Sequence, residues 1–175
     1  MRPAGRLAAA IEVLAAVDET DRPADRVLDR YLRDRRYIGG GDRGAITDRV
    51  WGVVRRRARL DWWIAKAGKG LTPDARGRVL ADLALFDGLD IAAIAELFDG
   101  SRHAPEALAK PESDALRRLI TQPLDAPDMS DAVRCECPDW LWPHMVDRFG
   151  EETPEAVKAL GGEAPFDLRL NTLVE

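Results

Sequence analysis

Lysine is absent from the first 59 residues, histidine and cysteine occur twice each in the whole chain, and no apolar run approaches the ~18 residues needed to cross a membrane. Each of these scarcities removes a class of function. Without long apolar runs the chain reads as a soluble globular protein. The nearest thing to a signal-peptide core, Leu7 to Val17, is interrupted by Glu12 and places Leu7, Ile11 and Leu14 at helical spacing. With imidazoles only at His103 and His144, no Ser-His-Asp set stands in a recognisable catalytic context. Cys135 and Cys137 lie one residue apart, too close for an unstrained disulfide and unlike the two-residue gap of common zinc pairs. They read as free thiols in a reducing cytoplasm, with a zinc site from Cys135, Cys137 and His144 as the lesser alternative.

What the chain has instead is arginine, unevenly placed. Residues 1–59 hold 14 arginines against 9 acids, while residues 60–175 hold 12 basic and 22 acidic residues, so a net charge of -5 conceals a basic first part. Arginine is always charged and presents a planar fork that matches phosphate, so an arginine-only basic region points to an anionic partner. A high-GC genome also replaces lysine by arginine, and the lysine-poor, alanine-rich character extends beyond this region.

Apolar periodicity predicts a succession of short amphipathic helices and an all-α domain. The first runs from about Pro3 to Val17. Pro23 opens a second, with Ala24, Val27, Leu28, Tyr31 and Leu32 as its apolar stripe. Gly39-Gly40-Gly41 breaks the chain, and Asp42 caps or charge-stabilises a helix running to about Arg59 through Ile46, Val50, Val53 and Val54. Leu60, Trp63, Ile64 and Ala67 continue the pattern until Gly68 and Gly70 end it. Thr72 and Pro73 then look like N-cap and first residue of a helix that buries Val79, Leu80, Leu83 and Phe86, and Ile91, Ile94, Ala95 and Phe98 follow. One more helix is expected around Glu112 to Ile120. Residues 123–137 read as a linker, Leu141 to Phe149 and Thr153 to Leu160 as short helices, and Phe166 to Glu175 as a strand by its alternation. A lone strand has no pairing partner, so its sheet is expected in sequence beyond Glu175. The resulting organisation is a helical domain over 1–122, a linker over 123–137 and the start of a second unit over 138–175.

Two candidate motifs lose their force on inspection. The run Gly39 to Arg43 follows no predicted strand and lacks the Gly-Lys-Ser/Thr ending of a nucleotide loop, so it reads as a helix-entry hinge. The tryptophans at 51, 62, 63, 140 and 142 are expected in core or interface more than as base-stacking platforms. A third holds better. Arg49, Gly52 and Arg56 fall near one another on a helical wheel beside the apolar face, with Gly52 leaving a bare patch between two guanidiniums. A phosphate backbone could approach there while Arg49 and Arg56 grip it, with Arg55, Arg57 and Arg59 raising the local potential. The competing reading has Gly52 admitting a neighbouring helix, with the arginines solvated or paired to Asp48 and Asp61.

These same residues carry a resemblance. Asp42-Arg43, Trp51-Gly52-Val53-Val54-Arg55-Arg56 and Leu60-Asp61-Trp62-Trp63 resemble the signature of the NusB-like helical domain. Pro138-Asp139-Trp140-Leu141, Arg148-Phe149-Gly150-Glu151 and Leu168-Arg169-Leu170-Asn171-Thr172-Leu173 resemble, in order and spacing, a run in RsmB/Sun-type (NOL/NOP/Sun) RNA cytosine-5 methyltransferases. The resemblance implies a NusB-like bundle followed by the start of a small α/β linking domain, in a parent enzyme that uses S-adenosylmethionine and a cysteine nucleophile on RNA, ribosomal RNA above all. The family's catalytic cysteines stand in Pro-Cys-Ser-Gly and Thr-Cys-Ser contexts. Cys135 and Cys137 match neither, so these 175 residues are expected to lack catalytic residues and a cofactor site and to be inactive alone. The resemblance does not extend to the segment after Phe86, where the family's late helix with its Asn-x-Leu-Arg ending is not recognisable. Taken with the arginine-bearing helix, it makes Arg49, Gly52, Arg55, Arg56 and Arg59 the expected RNA-contact residues, with the parent's own methyltransferase domain as a further partner. A protein-interaction module without RNA contact is the alternative.

Overall fold

A computed structural model of the chain describes residues 1–161, and those residues form an all-α protein. The strand expected over 166–175 lies outside them. In order the helices are α1 (Pro3–Asp18), α2 (Ala24–Asp34), α3 (Gly40–Arg55), α4 (Arg57–Ala67), α5 (Ala75–Leu85), α6 (Ile91–Leu97), α7 (Lys110–Leu119), α8 (Asp131–Arg134), α9 (Trp142–Phe149) and α10 (Thr153–Gly161), with a 3₁₀ turn over Gly150–Glu152. No helix among the described residues is long and apolar enough to cross a membrane.

The core is built around α5. Sequence periodicity gives that helix one apolar face, yet every residue from Ala75 to Ala84 except Arg76 is buried. Small side chains explain this, because Ala75, Gly77, Ala81 and Ala84 let neighbours approach on sides where a larger residue would hold them off. Helices α1, α3, α4 and α7 all pack against α5. Ile46, Val50 and Val53 of α3, and Leu60, Trp63, Ile64 and Ala67 of α4, all reach this core, as their spacing predicts.

Several boundaries differ from the sequence reading. The glycine run does not break the chain but starts α3: Gly39 is its N-cap and Gly40 and Gly41 lie in the first turn. Asp42 does not cap that helix. Its carboxylate takes the N-terminal amine at 2.8 Å and Arg6 Nε at 2.7 Å, tying the chain start to α3. The expected single helix to Arg59 is interrupted at Arg56, whose ψ of 11° leaves the helical range before α4 begins. Asp74, not Thr72, caps α5, accepting the Gly77 N–H at 2.8 Å.

Gly77 has a steric duty in that corner, because a Cβ there would collide with the Thr72 carbonyl. Gly77→Ala is therefore expected to lower stability by about 1–2 kcal/mol, the overpacking cost outweighing alanine's better helix propensity. Urea unfolding measures this, and an unchanged or stabilised variant would contradict the close approach.

The stretch expected as a linker, 123–137, is folded onto α4. Trp63 Nε1 donates to the Leu124 carbonyl at 3.2 Å, Ala126 and Met129 are buried in the main core, and Ser130 caps the short α8. At its end, Cys135 and Cys137 join Val157 in a small second cluster with Leu141, Trp142 and Met145. Both cysteines are buried free thiols, and burial pushes each thiol above its ordinary range, so both are protonated at neutral pH. No three His, Cys, Asp or Glu side chains among the described residues gather as a metal-binding group.

Candidate nucleic-acid interface

Helices α3 and α4 carry four of the five residues expected to touch RNA, and Arg56 sits at the break between them. Helical spacing does bring Arg49, Gly52 and Arg56 to one face, but that face meets α5. Asp82 of α5, fully buried, takes Arg49 Nη1 in a short contact and has Arg56 Nη1 at 3.2 Å. The second nitrogen of Arg49 pairs with Asp87. Oδ1 of Asp82 makes no hydrogen bond among the described residues, so Arg56 meets it as a charge and not as an aligned donor. Burial pushes the Asp82 carboxyl upward while Arg56 and Arg49 pull it down. A buried carboxylate held by two guanidiniums is a structural device, and its acids are not the Asp48 and Asp61 considered from sequence.

The patch at Gly52 is not bare. A Cβ at residue 52 would collide with the Arg56 guanidinium, whose Nε donates to the Gly52 carbonyl at 3.0 Å and whose centre lies 4.3 Å from the Phe86 ring centroid. The space beside Gly52 is taken by an arginine of its own chain, placed between its helix and an aromatic face.

Arg59 is withdrawn as well. Only 12% of its side chain is exposed, with Glu136 at 3.1 Å, Asp125 at 3.4 Å and the Arg134 carbonyl accepting from Nη2. It fastens the 123–137 segment to α4. Arg57 pairs with Asp18 at 3.0 Å, and with Asp61 at 3.8 Å across one helical turn. Of the five expected residues, Arg55 alone is an exposed arginine without an acidic partner among the described residues.

The tryptophans sort by position. Trp63 is buried and meets Trp62 edge to face with centroids 4.8 Å apart, whereas Trp140 is 72% exposed. The first pair are core residues, as their spacing predicts.

Sequence reasoning passed over α2. Leu28 and Leu32 bury one side of that helix against α1, and Tyr31 donates from its hydroxyl to Glu12 at 2.7 Å, fixing the helix's rotation. On the opposite side Arg26, Arg30 and Arg33 are exposed and, with Arg22 and Asp29, line one shallow groove. The signal was available, since arginines at i, i+4 and i+7 lie within an arc of about 60° at 3.6 residues per turn. It was obscured because the apolar stripe of the same helix took the interpretive weight. Comparison of the chain with protein-family models, curated proteins and solved structures gives no match, so the assignment of this surface rests on its own residues.

Proposed function

We propose that this chain is the RNA-binding and scaffolding region of an S-adenosylmethionine-dependent RNA cytosine-5 methyltransferase, a NusB-like helical domain leading into a small linking domain, with ribosomal RNA as the substrate class. One observation carries the RNA part: Arg22, Arg26, Arg30 and Arg33 are exposed along one groove with a single carboxylate, Asp29, and Arg55 is exposed with no acidic partner among the described residues. A local excess of exposed guanidiniums favours a polyanion. The enzyme class comes from the resemblance of the ordered sequence blocks alone.

The cleft beside Arg49, about 210 Å³, fits S-adenosylmethionine poorly: its lining is largely apolar, and Arg6 and Arg49 outnumber Asp87 against the positive sulfonium of that cofactor. On this reading methyl transfer belongs to the family's catalytic domain, with cytoplasmic rRNA modification as the setting.

The test is titration of a fluorescent rRNA-derived oligonucleotide with residues 1–175 between 50 and 200 mM salt. Five phosphate contacts give a slope of log K against log salt of about -3.5 on a single strand. Absence of binding at the lowest salt would remove the RNA role. The exposed apolar side chains Trp140, Val146, Phe149 and Leu160 favour a second reading, docking on the parent's own methyltransferase domain. In that case substitutions at those four positions weaken association with the catalytic domain while leaving RNA affinity unchanged.

A further inference from the structure

We infer that the outer face of α2, with Arg22, Arg26, Arg30 and Arg33, is the rail along which the RNA backbone docks. The inference rests on the RNA-binding reading above and moves its contact surface from α3 to α2.

Three arginines on other helices pair with an acid one turn away: Arg57 has Asp61 at 3.8 Å, Arg117 has Asp114 at 2.9 Å, and Arg134 has Asp131 at 3.2 Å. These are the ordinary stabilising pairs of a solvated helix surface. Along α2 the acids are present one turn away, Asp25 from Arg22, Asp29 from Arg26 and Arg33, and Asp34 from Arg30, yet the four arginines gather along one groove, with Arg26 four positions after Arg22, Arg30 four after that and Arg33 one turn beyond Arg30. Like charges at this spacing each cost a few tenths of a kcal/mol in an isolated helix. Asp29 stands among them in the groove yet forms no ion pair with any of the four among the described residues. Of the four, Arg26 alone has a carboxylate within ion-pair distance, Asp25 at 3.9 Å, with the Arg26 side chain still 76% exposed.

The rail is also held in place, since a row of arginines on a loosely seated helix would have no fixed direction. Leu28 and Leu32 are buried on the side opposite the row, and the Tyr31 hydroxyl bond to Glu12 pins α2 to α1. Arg35 stacks on the same Tyr31 ring, its guanidinium centre 3.7 Å from the centroid, and contributes to this seat instead of to the row. From Arg26 to Arg33 the row rises about 10 Å, at 1.5 Å per residue. Its chemistry is four planar, bidentate cations with Pro23 and Asp29 beside them and no aromatic base-stacking platform in the lining, which favours phosphates over sequence.

The test compares residues 1–175 as wild type, as Arg22→Gln/Arg26→Gln/Arg30→Gln/Arg33→Gln, and with lysine at the same four positions, each checked for helix content and urea midpoint. Fluorescence anisotropy against a single-stranded RNA is read from 50 to 200 mM salt. The glutamine variant is expected to lose about 2.8 from the magnitude of the salt slope, ~0.7 per arginine removed, and the lysine variant to retain most of it. Wild-type binding with the glutamine slope changed by less than one would overturn the rail while leaving the RNA reading intact. A lysine variant that falls as far as the glutamine variant would overturn phosphate tracking by charge. Polyglutamate competing as well as RNA would overturn RNA as the partner, and no RNA binding by the wild type would overturn both the rail and the reading beneath it.

Discussion

Asp82→Ala is expected to cost about 3 kcal/mol of folding stability, read as a lowered urea midpoint with an unchanged slope. Asp82 is fully buried on the central helix, and removing its carboxylate leaves two guanidiniums facing a space with no negative charge. Loss of one partner from a buried pair costs about 3–5 kcal/mol, because the other charge stays desolvated. The lower end applies here, since Arg49 keeps Asp87 and Arg56 keeps both the Gly52 carbonyl and the Phe86 ring. A triple replacement, Asp82→Leu with Arg49→Met and Arg56→Met, separates net value from pairing: it should recover most of the loss, as apolar groups of similar volume need no partner. A single Asp82→Ala variant within 1 kcal/mol of wild type would mean that the two arginines relax freely into solvent, and would restore them as candidates for an external anion.

That outcome bears on how charge is divided in this protein. Acids drawn from α1, α5 and the 123–137 segment neutralise the inner arginines of the first 59 residues, and the outer ones are left on α2 and at Arg55. The overall charge of -5 therefore says little about the local field. An anion approaching the groove on α2 meets four arginines with Asp29 among them, whereas one approaching Arg49 or Arg56 must compete with a buried carboxylate already in contact with both.

The helices were largely legible because a helix needs only local spacing. Leu60, Trp63, Ile64 and Ala67 lie on one face by count, and all four are buried. Arginine pairing was not legible, because the partners are distant in sequence: Asp82 is 33 residues from Arg49, and Glu136 is 77 from Arg59. No periodicity within a helix announces an acid arriving from another element. The folded state of 123–137 was hidden for a related reason, since Leu124, Ala126 and Met129 have no regular spacing and gain their order from Trp63 and Arg59 on α4. Gly52 shows the same limit from the other side. Its place in a helix interior correctly announced a close approach, but whether the visitor was a helix, a phosphate or the side chain four residues on depended on where Arg56 turned at the α3–α4 break.

Glu136 is expected to make stability fall as pH rises from about 4.5 to about 7. Its carboxyl is pushed up from the ordinary 4.5 to about 7, first by burial, against the pull of Arg59 and Arg56 and with a further push from Asp125. Because the folded state holds this proton more tightly than the unfolded chain does, the stabilising contribution is complete below about pH 4.5 and is lost as pH climbs through 7. A rise of this size corresponds to about 3 kcal/mol. The residue is placed at some cost, for it stands at a φ of 56° just after α8, a backbone region where glycine is favoured, and its neighbours Cys135 and Cys137 both face the small second cluster. A glutamate in a glycine position that reaches the Arg59 backbone N–H and guanidinium is a fastener between that cluster and α4. The check is urea unfolding of wild type and Glu136→Gln from pH 4.5 to 8, with exchange of the Cys137 amide, bonded to the Ala132 carbonyl at 2.9 Å, as the local readout. The glutamine variant keeps a neutral side chain at every pH, so the difference between the two curves should shift by about 3 kcal/mol across the range and level off above pH 8. Parallel curves would show that Arg59 and solvent stabilise the Glu136 charge as fully as water does in the unfolded chain, and the junction between α4 and the second cluster would then be insensitive to pH.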